Sequence, residues 1–133
     1  MSTSDIETRA RRVLAATQEP LICAYLYGSH ARGTGAAESD VDIAVLLSAY
    51  VGQQGLLGPL PRLRGALERV LEREVDLIDM RSAPPDLIHR ILSEGVLLVD
   101  RARDQRIAFE VQARNTYFDL LPYLRLYREG RAA

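Results

Sequence analysis

Apolar and polar positions follow two rhythms along this chain, dividing it into short strands and longer helices. Leu21 to Tyr27 and Ile43 to Leu47 are apolar runs, rich in β-branched and aromatic residues and bounded by turn residues, as in short buried strands. Elsewhere apolar residues recur at helical spacing. Ser4-Asp5-Ile6-Glu7 reads as a capping box, followed by Ile6, Ala10, Val13, Leu14 and Thr17, and Pro20 ends that helix. Gly52 to Gly58 is loop-like. Pro59 then begins a helix whose Leu60, Leu63, Leu67, Val70 and Leu71 form one apolar stripe. Glu74 to Met80 reads as a third strand. Pro84-Pro85 opens a helix bearing Leu87, Ile88, Ile91 and Leu92, which Gly95 terminates, and Val96 to Val99 adds a fourth strand. Arg101 to Arg128 is helical, with Ile107, Val111, Phe118 and Leu121 along a side that covers the sheet, and Pro122 is expected to kink or break it. Tyr117, Phe118, Tyr123 and Tyr127 make this tail rich in aromatics, which also suits a second face that docks a partner.

Composition narrows the class. A chain of 133 residues with 47% hydrophobic content buries one core, so residues 1–133 are expected to form a single α/β domain, its C-terminal helical region spanning about 101–128. No apolar stretch approaches the length of a membrane span and no signal peptide is visible, which points to the cytoplasm and away from membrane partners. The one cysteine, Cys23, lies in the first strand and reads as a buried, inert thiol. The formal net charge of −1 argues against a general nucleic-acid surface. All 17 basic residues are Arg, which excludes a P-loop lysine. Any polyphosphate must therefore be met by metals, backbone amides and Arg.

The candidate chemistry lies between the first two strands, in Gly28-Ser29, ten residues, then Asp40-Val41-Asp42. A connection this short cannot hold the helix of a usual parallel crossover, so the strands are expected to be antiparallel neighbours. That brings the Gly-Ser turn and the aspartates to one end of the sheet. Residues i and i+2 of a strand share a face about 6.5–7 Å apart, so Asp40 and Asp42 can converge on the same hard cation. Gly28 lets backbone approach a phosphate closely, Ser29 adds a hydroxyl donor, and Arg32 is the nearest cation. His30 reads as an exposed turn residue, and His89 as structural or exposed.

Tyr27-Gly28-Ser29-His30-Ala31-Arg32-Gly33 followed by Ser39-Asp40-Val41-Asp42-Ile43 resembles the polymerase-β-like nucleotidyltransferase superfamily. Within it the chain is similar to the minimal nucleotidyltransferases, antitoxins paired with HEPN-domain toxins that are typically RNases. The resemblance extends over nearly the whole chain, and residues 27 to 47 carry its specificity. It implies an α/β (α+β) polymerase-β-like core, with helices packed on a small mixed sheet and a C-terminal helical tail. It also implies a third carboxylate from the later strand, where Asp76 and Asp79 are the two candidates. They face opposite sides of a regular strand, and Asp76 matches the family position. Inside the strand, an ionised Asp76 needs a metal or a partner, whereas Asp79 near the end is solvated.

The resemblance further implies Mg²⁺, as two ions, held by Asp40, Asp42 and Asp76, with ATP as substrate met by Gly28, Ser29 and Arg32. The implied reaction transfers AMP to a tyrosine hydroxyl of a cognate HEPN toxin, within a toxin–antitoxin hetero-oligomer. Two alternatives stand beside it. One is a non-catalytic antitoxin that acts by binding. The other is a small-molecule nucleotidyltransferase, for which no acidic cluster outside the motif offers a cationic acceptor a pocket. A nucleic-acid acceptor is disfavoured because no basic stripe is apparent.

Overall fold

A computed structural model describes residues 2–35, 39–48 and 58–132; of the loop expected from Gly52 to Gly58, residues 52–57 lie outside them. The chain runs α1 (Thr3–Ala16), β1 (Leu21–Tyr27), α2 (Gly28–Ala31), β2 (Val41–Leu47), α3 (Pro59–Leu71), β3 (Val75–Asp79), α4 (Pro85–Glu94), β4 (Val96–Asp100) and α5 (Arg103–Ala132). A 3-10 turn, Met80–Ser82, follows β3. The strands form one mixed sheet in the order β3-β2-β1-β4. β1 pairs antiparallel with β2 and with β4, whereas β2 and β3 are parallel, joined by a crossover through α3.

Both faces of the sheet are covered, which explains why its central strands read as continuous apolar runs. On one face Ala24, Leu26, Val41, Ile43 and Val45 pack against Ile6, Ala10 and Leu14 of α1 and Leu63, Leu67 and Leu71 of α3. On the other, Tyr25, Tyr27, Ala44 and Leu46 meet Ile91 and Ile88 of α4 and Phe109 of α5. Alternation along β2 and β3 therefore assigns Asp40, Asp42, Asp76 and Ile78 to the α4 side. The site is built on that side.

Local details depart from the sequence reading in four places. The capping box of α1 is Ser2 with Asp5 rather than one starting at Ser4: Ser2 Oγ accepts from the Asp5 amide at 3.2 Å while Asp5 Oδ2 accepts from the Ser2 amide. In α3, Val70 falls off the buried stripe and is exposed. α5 continues through Pro122 as one helix. Its neighbourhood is solvent-facing, so the lost amide bond is not buried. The side of α5 that meets the sheet carries Phe109 rather than the Ile107–Val111–Phe118–Leu121 stripe; Ile107, Val111 and Phe118 are exposed together with Tyr123, Leu126 and Tyr127, and Leu121 is half-buried.

A polar clasp fixes α5 to the sheet. The Tyr25 hydroxyl donates to Glu110 Oε1, which also accepts from Arg106 Nη1 at 2.9 Å, and Arg106 Nε donates to Asp100 Oδ2 at 2.8 Å. Burial, then the bond to Glu110, pushes the Tyr25 phenol well above its ordinary range. Tyr25→Phe is expected to lower stability by about 1.5 kcal/mol, the worth of a hydrogen bond to a charged group, read from urea unfolding. Cys23 beside it is buried, and desolvation pushes its thiol up to about 12, so it is protonated and unreactive at neutral pH.

Candidate active site

The site grows from the end of β1. Gly28 has φ +73°, the left-handed region, and turns the chain straight out of the strand into the single turn of α2. The return of the chain is pinned to that turn, because the Ser29 carbonyl accepts from the amides of Thr34 at 2.9 Å and Gly35 at 3.1 Å. β2 then opens at Val41, so Asp40 sits just before the strand and Asp42 is its second residue.

Strand register does the rest. Tyr27 is opposite Asp42 across the β1–β2 pair, and Asp42 is opposite Asp76 across the β2–β3 pair. The three residues form one row on the α4 face, on neighbouring strands about 4.8 Å apart. Asp42 also lies against the turn: a Cβ built on Gly28 would stand 2.2 Å from Asp42 Oδ2. A cavity of about 460 Å³ opens over this row, lined by Tyr27, Gly28, Ser29, Arg32, Asp42, Asp76, Ile78, Leu87 and Arg90.

Crowded negative charge marks the electrostatics. Burial, followed by the charges of Asp76 and Asp40, raises the Asp42 carboxyl above its ordinary value, while His30 and Arg90 pull it down. Tyr27 is pushed up to about 12 by burial and by Asp76 and Asp42. The site thus favours added positive charge. Among the described residues no three His, Cys, Asp or Glu side chains close into a metal cage by themselves. The donor set fits a Mg²⁺ of the kind held by one or two carboxylates, whose other ligands are waters and substrate phosphates.

Sequence reasoning placed most of these groups and misjudged several environments. Asp76 is exposed at the cavity rim, not buried in its strand, because β3 is the sheet edge and leaves that end open. Asp79 is half-buried rather than solvated, and caps the 3-10 turn by accepting from the Arg81 amide at 3.0 Å. His30 is 2% exposed instead of lying in solvent; its Nε2 is 3.2 Å from the Ser39 carbonyl, and Nδ1 has no hydrogen-bond partner among the described residues. Arg32 lines the cavity but also stands 3.7 Å from Glu94 of α4. Arg90 was missed. As one cation on an amphipathic helix it looks like any solvated charge, and only the docking of α4 brings it to the cavity.

A family model described as polymerase beta nucleotidyltransferase matches residues 12–104. The chain belongs to the polymerase beta nucleotidyltransferase family. In this nucleotidyltransferase, the matched stretch contains β1 to β4 and every residue of the carboxylate row. Protein adenylyltransferase MntA of Shewanella oneidensis is 32% identical over 93 residues, or 70% of this chain, and the match spans 63% of that relative's length. A chain from a crystal structure of a toxin–antitoxin complex with AMP-PNP superposes with a TM-score of 0.78 at 27% identity, covering 96% of this chain and 98% of that one. A structure of a tri-AMPylated Shewanella oneidensis HEPN toxin in complex with an MNT antitoxin shares the fold at 24% identity, with a TM-score of 0.74 over 98% of this chain and 99% of that one. The polymerase-β-like core implied by residues 27 to 47 is therefore the fold of this chain. Among the described residues no helix is long and apolar enough to cross a membrane.

Proposed function

We propose that this nucleotidyltransferase is the antitoxin of a toxin–antitoxin pair and transfers AMP from ATP to a tyrosine hydroxyl of its HEPN-domain toxin. The observation that carries this reading is the row Tyr27–Asp42–Asp76 beside the left-handed Gly28 turn. The toxin–antitoxin complexes that contain its structural neighbours, and the adenylyltransferase name of its relative, support a protein acceptor. The exposed Phe118, Tyr123, Leu126 and Tyr127 of α5 give such a partner an apolar surface to meet.

In the proposed reaction the turn at Gly28 and Ser29 receives the β- and γ-phosphates through backbone amides and the Ser29 hydroxyl, with Arg32 at its edge. Asp42 and Asp76, with Asp40 beside them, would hold Mg²⁺, which when bound supplies Lewis-acid stabilisation of the charge that develops on the phosphates. The tyrosine oxygen attacks the α-phosphorus; a new O–P bond forms as the bond to pyrophosphate breaks. Asp76, exposed at the rim, is placed to take the phenolic proton. The product carries a phosphodiester anion where the toxin had a neutral phenol, which adds charge and bulk at its RNA-cleaving region.

Intact-mass spectrometry of the protein encoded beside this one, incubated with the purified chain, ATP and Mg²⁺, tests the reading. A gain of one or more AMP units that disappears with EDTA is the expected result. A stable complex with no mass change would sink the catalytic reading and leave neutralisation by occlusion.

A further inference from the structure

A second groove adjoins the catalytic cavity. It measures about 280 Å³ and is lined by Asp86, Leu87 and Arg90 of α4 and Tyr117 and Arg128 of α5. Leu87 and Arg90 line both spaces, so the two are adjacent. Tyr117 is held as a fixed wall, its ring stacked on His89 with centroids 3.8 Å apart and planes at 4°. Two guanidiniums from different helices therefore line this groove with one carboxylate, Asp86. Arg90 also lines the catalytic cavity, where its charge acts on Asp42, and neither Arg90 nor Arg128 makes an ion pair within 4 Å among the described residues. Like charges lining one space are stabilised by an anion between them.

We propose that this groove is a phosphate subsite in which Arg90 and Arg128 close on a phosphate group lying outside the catalytic cavity, an inference that rests on the nucleotidyltransferase reading above. Guanidinium forks match phosphate oxygens bidentately, and this chain has no lysine to do so instead. The groove's position along α4 separates it from the Gly28–Ser29 turn. Glu94 meets Arg32 at that turn, and Asp86 lies eight residues earlier, about 12 Å along the helix. A phosphate in the groove thus belongs either to an extended triphosphate tail or to the phosphodiester of a nucleotide already joined to the acceptor.

Calorimetric titration of the full chain with AMP, ATP, inorganic tripolyphosphate and the dinucleotide pApA, each with Mg²⁺, tests the subsite. Arg128 is the residue to change, since it lines the groove and not the catalytic cavity, is exposed, and tolerates Ala in its helix. Arg128→Ala is expected to weaken at least one phosphate probe about tenfold, with Arg128→Lys recovering part of the loss. Weakened ATP and tripolyphosphate with unchanged pApA identifies the triphosphate tail; weakened pApA alone identifies the acceptor's phosphodiester. Binding of all four probes within about twofold of the parent overturns the subsite. A parent chain that binds neither ATP nor tripolyphosphate overturns the nucleotidyltransferase reading as well, which separates the two failures.

Discussion

Asp42→Asn is expected to lower nucleotidyl transfer on the order of 10³-fold, the loss of several kcal/mol of charge stabilisation at phosphorus, while the variant folds at least as stably as the parent. Asp42 is the centre of the row, opposed by Tyr27 on one side and Asp76 on the other, and it also lies against the Gly28 turn. Stability moves the other way because the charge is unfavourable in the folded chain. Burial and the two nearby aspartates raise its carboxyl above the unfolded value. Across that window the folded state binds the extra proton, so the contribution of Asp42 to stability is greatest below the unfolded value and is lost as pH rises through the raised folded value. Asn removes both the charge and this contribution to the pH dependence. Thermal melts of parent and variant from acid to neutral pH, without divalent cation, measure the second effect, and single-turnover transfer with Mg²⁺ measures the first. A variant that melts well below the parent at neutral pH would show that Asp42 supports the fold, and its lost activity would then say nothing about chemistry.

How much of this site was legible in the chain depends on how local each feature is. β1, β2 and β4 lie where apolar runs and turn residues place them, β3 lies in the segment that the family resemblance matched, and the short span from Gly28 to Asp40 enforces the antiparallel β1–β2 pair. The adjacency of Asp42 and Asp76 was legible only through the family resemblance, because the register of two parallel strands joined through α3 is set by packing far from either residue. His30 was misjudged for a related reason. Turn residues are usually exposed, yet its ring is covered by Gly35, where a Cβ would stand 2.7 Å from Nδ1. α5 shows the limit of periodicity. A long helix with apolar residues on more than one side has more than one candidate inward face, and the clasp of Tyr25, Glu110 and Arg106 selects the Phe109 side.

The second large effect belongs to Gly28, and it separates backbone strain from a damaged site. Gly28→Ala puts an L side chain at φ +73°, which costs about 1–2 kcal/mol, and drives the new methyl to 2.2 Å from Asp42 Oδ2. The carboxylate is the flexible end of a side chain and rotates away, so the fold survives; but the displaced group is the one proposed to hold the metal. A misplacement of about 1 Å at a reacting centre can cost on the order of 10²-fold, and transfer is expected to fall by that much. Gly33→Ala supplies the control, since Gly33 has φ +75° and a Cβ there meets nothing within 4 Å. Both variants should melt earlier by a similar margin, with Gly33→Ala retaining transfer within a few-fold of the parent. Equal losses of activity in the two would mean that strain in the turn, rather than the contact between Gly28 and Asp42, governs the chemistry. Loss confined to Gly28→Ala would tie catalysis to the contact between the turn and Asp42.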